Sequence, residues 1–216
     1  MSTDVILHAE GVSKRFQNFV ALDNVSVSFP RSRLTAVIGP NGAGKSTFFN
    51  VISGAFPPSG GRIVYDGADI TGQPQHRFAH LGIAKSFQIT NVFPQLTARE
   101  NVRIAVQAMH TRYQMFRRRE AFSELVDKAD ELLRTVHLLP HARRAAETLA
   151  HGQQRALEIA IALACRPRLL LLDEPTAGMS PEETREMMDL IVRLAEERTV
   201  VLVEHKMKLV MGISDH

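Results

Sequence analysis

Residues 39–47 read Gly39-Pro40-Asn41-Gly42-Ala43-Gly44-Lys45-Ser46-Thr47, directly behind the apolar run Leu34–Ile38. That run reads as a buried strand, and residues 46–53 read as a helix that Gly54 closes. A strand, a glycine-rich loop with Lys-Ser, and a helix, in this order, form a phosphate-binding P-loop and commit the chain to an α/β architecture. Glycines let the backbone wrap close to a polyphosphate so that its N–H groups point inward. The helix N-terminus adds partial positive charge, Lys45 a full charge, and Ser46 a hydroxyl suited to magnesium. An ordinary glycine turn before an amphipathic helix needs neither Lys45 nor Ser46. The loop marks a chain that binds a nucleoside triphosphate.

The 216 residues suffice for one substantial core, or one core with an inserted subdomain. Net charge is only +3, and the one notable basic run, Arg117-Arg118-Arg119, is short. That run reads as a solvated helix start or loop, and nucleic acid is not an expected partner. A single cysteine, Cys165, excludes an internal disulfide framework and suits a reducing compartment. It lies in an apolar run and reads as a packed side chain rather than a nucleophile. No apolar stretch is long enough to span a bilayer, and Met1-Ser2-Thr3-Asp4 does not resemble a signal peptide, so a cytoplasmic location is expected.

Short strands are expected at 5–7, 25–29, Leu34–Ile38 and 62–65, separated by turn clusters such as Pro57-Pro58-Ser59-Gly60-Gly61. From Thr97 the period becomes helical, with helices expected at 98–109, 121–136 and 152–165. Strands return at 169–172 and 199–203 around a helix at 181–196. Ser180 is that helix's N-cap and Pro181 its first residue. The two late strands are apolar on both faces, as in a parallel sheet covered by helices. His76/His80 and His137/His141 have metal-pair spacing but no accompanying carboxylate or cysteine set, and they read as solvent-facing.

Leu169-Leu170-Leu171-Leu172-Asp173-Glu174 is a buried strand ending in two acids. In a P-loop fold an acid at that strand end faces the phosphates. Neighbouring acids at a strand end project differently. Asp173 is therefore assigned to magnesium, and Glu174 to orienting and deprotonating water.

Leu149-Ala150-His151-Gly152-Gln153-Gln154-Arg155 opens the helix ahead of the acidic strand. With this segment in place the chain resembles the ATP-binding cassette family, whose signature stands at that point. Gln88, in Lys85-Ser86-Phe87-Gln88, falls at the family's Q-loop, and His205, in Val203-Glu204-His205, at its switch histidine. Phe16 fits the aromatic that stacks on adenine, with Phe19 nearby. Gly82-Ile83-Ala84-Lys85-Ser86-Phe87-Gln88, Val92-Phe93-Pro94-Gln95-Leu96-Thr97 and Lys206-Met207-Lys208-Leu209-Val210-Met211 look like ATPases of branched-chain (hydrophobic) amino-acid importers. Cassettes that import urea or export lipopolysaccharide share parts of these segments.

The resemblance covers essentially the whole chain. It implies a RecA-like P-loop core (1–89 and 156–216) with an antiparallel β subdomain, and an inserted helical subdomain (90–155) carrying the signature. It implies an ATPase that works as a dimer closing on two ATP molecules, each held between one subunit's P-loop and the other's signature residues 150–153. Ser46, Asp173 and Gln88 would serve the magnesium, Glu174 would activate water, and His205 would contact the γ-phosphate. A permease would dock on residues 89–110, with a periplasmic solute-binding protein acting indirectly. A DNA-repair or translation cassette would carry a long coiled coil or a second cassette, and neither is present. A P-loop kinase or GTPase would lack the 149–155 segment and His205.

Three departures stand out. Ala150 replaces the usual signature serine, removing one charge-assisted hydrogen bond worth about 1.5–3 kcal/mol, and His151 stands beside it as a substitute donor. Ser180 stands where many cassettes place the D-loop aspartate. The sequence stops at Ser214-Asp215-His216, where relatives continue with further strands and a helix, so a truncated C-terminus is expected.

Overall fold

The computed structural model describes residues 4–86, 92–110 and 119–204. The chain begins with strands β1 (Val5–Phe16), β2 (Phe19–Pro30) and β3 (Leu34–Ile38), followed by helix α1 (Lys45–Ile52). Strands β4 (Gly60–Tyr65) and β5 (Ala68–Asp69), helix α2 (His76–Leu81) and strand β6 (Ile83–Ser86) come next. Helices α3 (Ala98–His110) and α4 (Arg119–Thr135) precede two 3-10 turns, Leu139–His141 and Ala146–Thr148. Helix α5 (His151–Leu163), strand β7 (Leu169–Asp173), helix α6 (Pro181–Glu197) and strand β8 (Thr199–Glu204) complete the order.

Two compact units emerge. Of the described residues, those within Met1–Lys85, Arg168–Pro175 and Ile191–His216 form the first, and those within Ser86–Pro167 and Thr176–Leu190 the second. The sequence boundaries at 90 and 155 differ from this division. Helix α5 packs against α3 and α4, so it joins the helical unit rather than the sheet unit, and so does the first half of α6.

The first unit holds two four-stranded sheets. One, in the order β2-β1-β4-β5, is antiparallel throughout; the other runs β3-β8-β7-β6, with β8 parallel to both β3 and β7. Leu169 and Leu171 of β7 and Val201 and Val203 of β8 face a core shared with Phe48, Phe49 and Ile52 of α1 and with Ile6, Leu7 and Phe29 of the hairpin. The alternate residues Leu170, Leu172, Val200 and Leu202 are equally buried on the other face. Both central strands are therefore continuous apolar runs, as expected for strands covered on both faces.

The expectation of a buried strand at Leu34–Ile38 holds only in part. The strand forms there, but its residues are half-buried and Ile38 is 45% exposed. It stands at the end of the strand order, where among the described residues it has a neighbour on one side only.

In the helical unit, Arg99 forms a two-pronged ion pair with Asp130, tying α3 to α4 through Nε–Oδ1 at 2.6 Å and Nη2–Oδ2 at 2.9 Å. Buried Asn101 donates to the carbonyls of Phe93, Leu96 and Thr97 and accepts from the Phe93 N–H, fixing the approach to α3.

Candidate functional site

Parallel pairing decides what sits beside the glycine loop. Val37 on one side and Asp173 on the other both lie in register with Val203 of β8. The end of β3, from which the loop leaves, and the acid at the end of β7 thus finish at one level of one sheet edge. The loop turns into α1 through Gly44, at φ +82° and ψ +3°. A Cβ there would lie 2.7 Å from the Ala21 carbonyl oxygen, so the close approach excludes a side chain. The first intrahelical bond runs from Phe48 N–H to Gly44 O at 2.8 Å. The N–H groups of Lys45, Ser46 and Thr47 precede it, and no side chain caps them. This is an anion cradle with no acid in its first turn. Gly39, Pro40, Asn41, Gly42 and Ala43 complete the loop, mostly exposed. The Lys45 ammonium group donates to Gly39 O at 2.7 Å and Pro40 O at 2.8 Å, which holds it over the loop.

Asp173 is almost fully buried and Glu174 half-buried. Glu174 takes φ +48°, and its N–H donates to Val203 O at 3.0 Å. The strand therefore breaks between the two acids, and they leave it in different directions. Asp173 Oδ1 is buried without a hydrogen-bond partner. A buried carboxylate oxygen left open beside a hydroxyl-bearing loop fits magnesium, a hard cation that takes oxygen ligands. Asp173 and Ser46 are the described residues that would hold it.

Sequence reasoning missed two residues here. Lys85, on β6, places its Nζ 3.8 Å from Asp173 Oδ2, with both side chains buried, and donates to Asn50 Oδ1 of α1 at 2.6 Å. Burial pulls the Lys85 pKa below the ordinary lysine value, with Asp173 opposing. Burial likewise pushes the Asp173 carboxyl above its usual range; Lys85 opposes this and Glu174 adds to it. No local signal marks Lys85, because β6 is only four residues long and the burial of Ile83, Ala84 and Ser86 is visible only in the fold.

Phe16 packs edge-on against Phe56, with ring centroids 5.5 Å apart, and Lys14 Nζ lies 5.1 Å from the Phe16 centroid. Phe19 is 66% exposed at the hairpin end. Gln88 and His205 lie outside the described residues, as do Arg117 and Arg118.

In the helical unit Ala150 is the N-cap of α5. Its methyl group cannot accept a bond, and half a capping box remains, with Ala150 N–H donating to Gln153 Oε1 at 3.1 Å. Gly152 N–H donates to Glu183 Oε1 at 3.4 Å, so an acid from α6 serves where the cap hydroxyl is missing. Glu183 also forms a complete capping box with Ser180, at 2.9 and 3.2 Å, and these bonds hold its carboxyl below the usual range. His151 Nε2 bonds Ala177 O at 3.0 Å, and its ring packs where a Cβ on Gly178 would fall. His76, His80 and His137 are exposed and His141 half-buried, and no metal-holding cluster of His, Cys, Asp and Glu occurs among the described residues. Cys165 is packed, and burial pushes its thiol up.

A glycine cradle beside a buried acid on a parallel sheet, with a separate helical unit carrying Gly152-Gln153, is the architecture of an ATP-binding cassette. The family model described as ABC transporter matches residues 22–177, and this chain belongs to that family. It is 42% identical over 221 residues to the high-affinity branched-chain amino acid transport ATP-binding protein BraF of Pseudomonas aeruginosa, covering 98% of this chain and 86% of that one. Among solved structures it is similar to the ADP conformation of an ATP-binding cassette of an ABC transporter, with a TM-score of 0.83, 29% identity, and coverage of 96% and 84%. It is also similar to a dimeric bacterial ABC transporter cassette, with a TM-score of 0.82, 28% identity, and coverage of 95% and 90%. The chain is a P-loop ATPase of the ABC transporter type.

Proposed function

We propose that this chain energises uptake of branched-chain, hydrophobic amino acids by hydrolysing ATP on the cytoplasmic face of the cell membrane. The observation that carries the reaction is the shared sheet edge, where the end of β3, which leads into the cradle at 42–47, and Asp173 at the end of β7 finish at one level. The similarity to BraF along nearly the whole chain supports the solute. No helix among the described residues is long and apolar enough to cross a membrane. The transport role in the name of BraF supports a permease as the membrane-spanning partner, with a periplasmic binding protein delivering solute to it.

In the mechanism, the N–H groups of the loop and Lys45 bind the phosphates, and Phe16 supports the adenine. Ser46, Asp173 and Gln88 would hold magnesium, which would supply positive charge against the phosphate oxygens. Glu174 accepts the proton of the attacking water, and His205 contacts the γ-phosphate. Residues 150–153 serve the P-loop of a second cassette, of like or unlike sequence. Binding of ATP favours the closed dimer and hydrolysis releases it, which moves the permease between two states. The test is ATP-dependent leucine uptake into proteoliposomes holding the chain with its permease and binding protein. Uptake of urea or export of lipopolysaccharide, with no leucine uptake, would replace the solute assignment.

A further inference from the structure

We propose that Lys85 is the tethered counter-cation of Asp173, and that it keeps the acid from recruiting magnesium until nucleotide is present. This rests on the reading of Asp173 as the magnesium-holding acid. Three observations carry it. The Lys85 ammonium group lies 3.8 Å from Asp173 Oδ2, with the side chains 8% and 3% exposed. Asn50 Oδ1 fixes it at 2.6 Å, so it is held from α1 as well as from β6. The second carboxylate oxygen, Oδ1, is left with no hydrogen-bond partner.

A buried cation is expensive unless it has a task, and packing alone would be met by methionine or leucine of similar volume. Beside an acid destined for a divalent cation, a fixed ammonium group acts in two ways. It neutralises the carboxylate when no metal is bound, which a buried acid on a sheet edge requires. It also repels a second cation at that distance, so magnesium alone binds poorly, while magnesium carried with a triphosphate brings its own compensating charge. Asn50 sits on the helix that opens with the phosphate cradle. The tether therefore links the cradle, the acid and the strand leading to Gln88.

The experiment compares the full chain with Lys85→Met and Lys85→Arg by thermal unfolding in EDTA and in magnesium without nucleotide, and by the magnesium midpoint for ATP binding. The wild type and Lys85→Arg are expected to unfold at the same temperature in EDTA and in magnesium. Lys85→Met is expected to unfold lower in EDTA, to be restored by magnesium alone, and to show a magnesium midpoint about tenfold lower. A Lys85→Met protein equally destabilised in both conditions, with an unchanged or higher midpoint, would overturn the proposal and leave only a structural ion pair. If Lys85→Met does not fold, Lys85→Gln, which keeps an amide donor for Asn50, decides by the same midpoint. Asp173→Asn separates the two readings. If it leaves the magnesium dependence of ATP binding unchanged, the assignment of Asp173 fails; if it abolishes that dependence while Lys85→Met changes nothing, only the role of Lys85 fails.

Discussion

Asp173 lies in register with Val203 across the sheet, and the N–H of the next residue, Glu174, donates to the carbonyl of that same Val203 at 3.0 Å. One residue of β8 thus anchors both acids. The left-handed backbone at Glu174, φ +48°, turns its side chain out of the strand that buries Asp173. Left-handed backbone in a residue other than glycine is uncommon, and it persists where the surroundings enforce it. Here the backbone hydrogen bond to Val203 O is one of the contacts that hold the turn.

The two left-handed glycines of the loop should respond differently to alanine. Gly44→Ala would bring a methyl group within 2.7 Å of Ala21 O and 3.0 Å of Leu22 Cδ2, whereas a Cβ on Gly42 meets nothing within 4 Å. Gly44→Ala is expected to cost about 2–4 kcal/mol and Gly42→Ala about 1 kcal/mol. Denaturant unfolding checks this, and equal losses would contradict it.

Phe16, supported by Phe56 and Lys14, is expected to carry the adenine, and the solvated Phe19 is not. Phe16→Ala should weaken ATP binding by about 1–3 kcal/mol and leave inorganic triphosphate binding unchanged. Phe19→Ala should alter neither. Calorimetric titration with both ligands distinguishes the base from the phosphates, and a loss of triphosphate affinity would refute the assignment.

Asp66 bridges Arg31 and Arg168, with Arg168 Nη1 at 2.7 Å from Oδ2, and these two bonds hold its carboxyl below the usual range. A carboxyl with a lowered folded pKa stabilises the fold above its unfolded value, about pH 4, and that contribution disappears as pH falls through the folded value. Wild type should therefore melt above Asp66→Asn at pH 7, and the two curves should meet by about pH 2. A gap independent of pH would contradict this.

Ala150 carries no hydroxyl at the N-cap of α5, and His151 Nε2 bonds Ala177 O. Ala150→Ser, assembled with its partner cassette and permease, is expected to hydrolyse ATP faster. Restoring one charge-assisted bond is worth about 1.5–3 kcal/mol at that site. Unchanged steady-state ATPase would show that the missing hydroxyl does not limit turnover.

Much of this arrangement was legible in the sequence because its determinants are local. The P-loop spells its own turn, the apolar runs at β7 and β8 declare strands covered on both faces, and Ser180 with Pro181 declares the start of α6. Contacts between distant residues were not legible. Strand β6 is four residues long and contains a lysine, so neither its length nor its pattern announces it; the lysine makes sense only beside Asp173 and Asn50. The bond from His151 to Ala177 O and its packing against Gly178 are likewise contacts that no single segment encodes. The half-exposure of β3 at the end of the strand order is not legible in its own segment either.

The central claim is that Glu174, released from the strand beside Asp173, activates the water that attacks ATP. The direct measurement is ATP binding and single-turnover hydrolysis by Glu174→Gln in the assembled transporter. Binding is expected within about twofold of wild type, while hydrolysis falls about 10²–10⁴-fold. Hydrolysis retained at the wild-type rate would contradict the account.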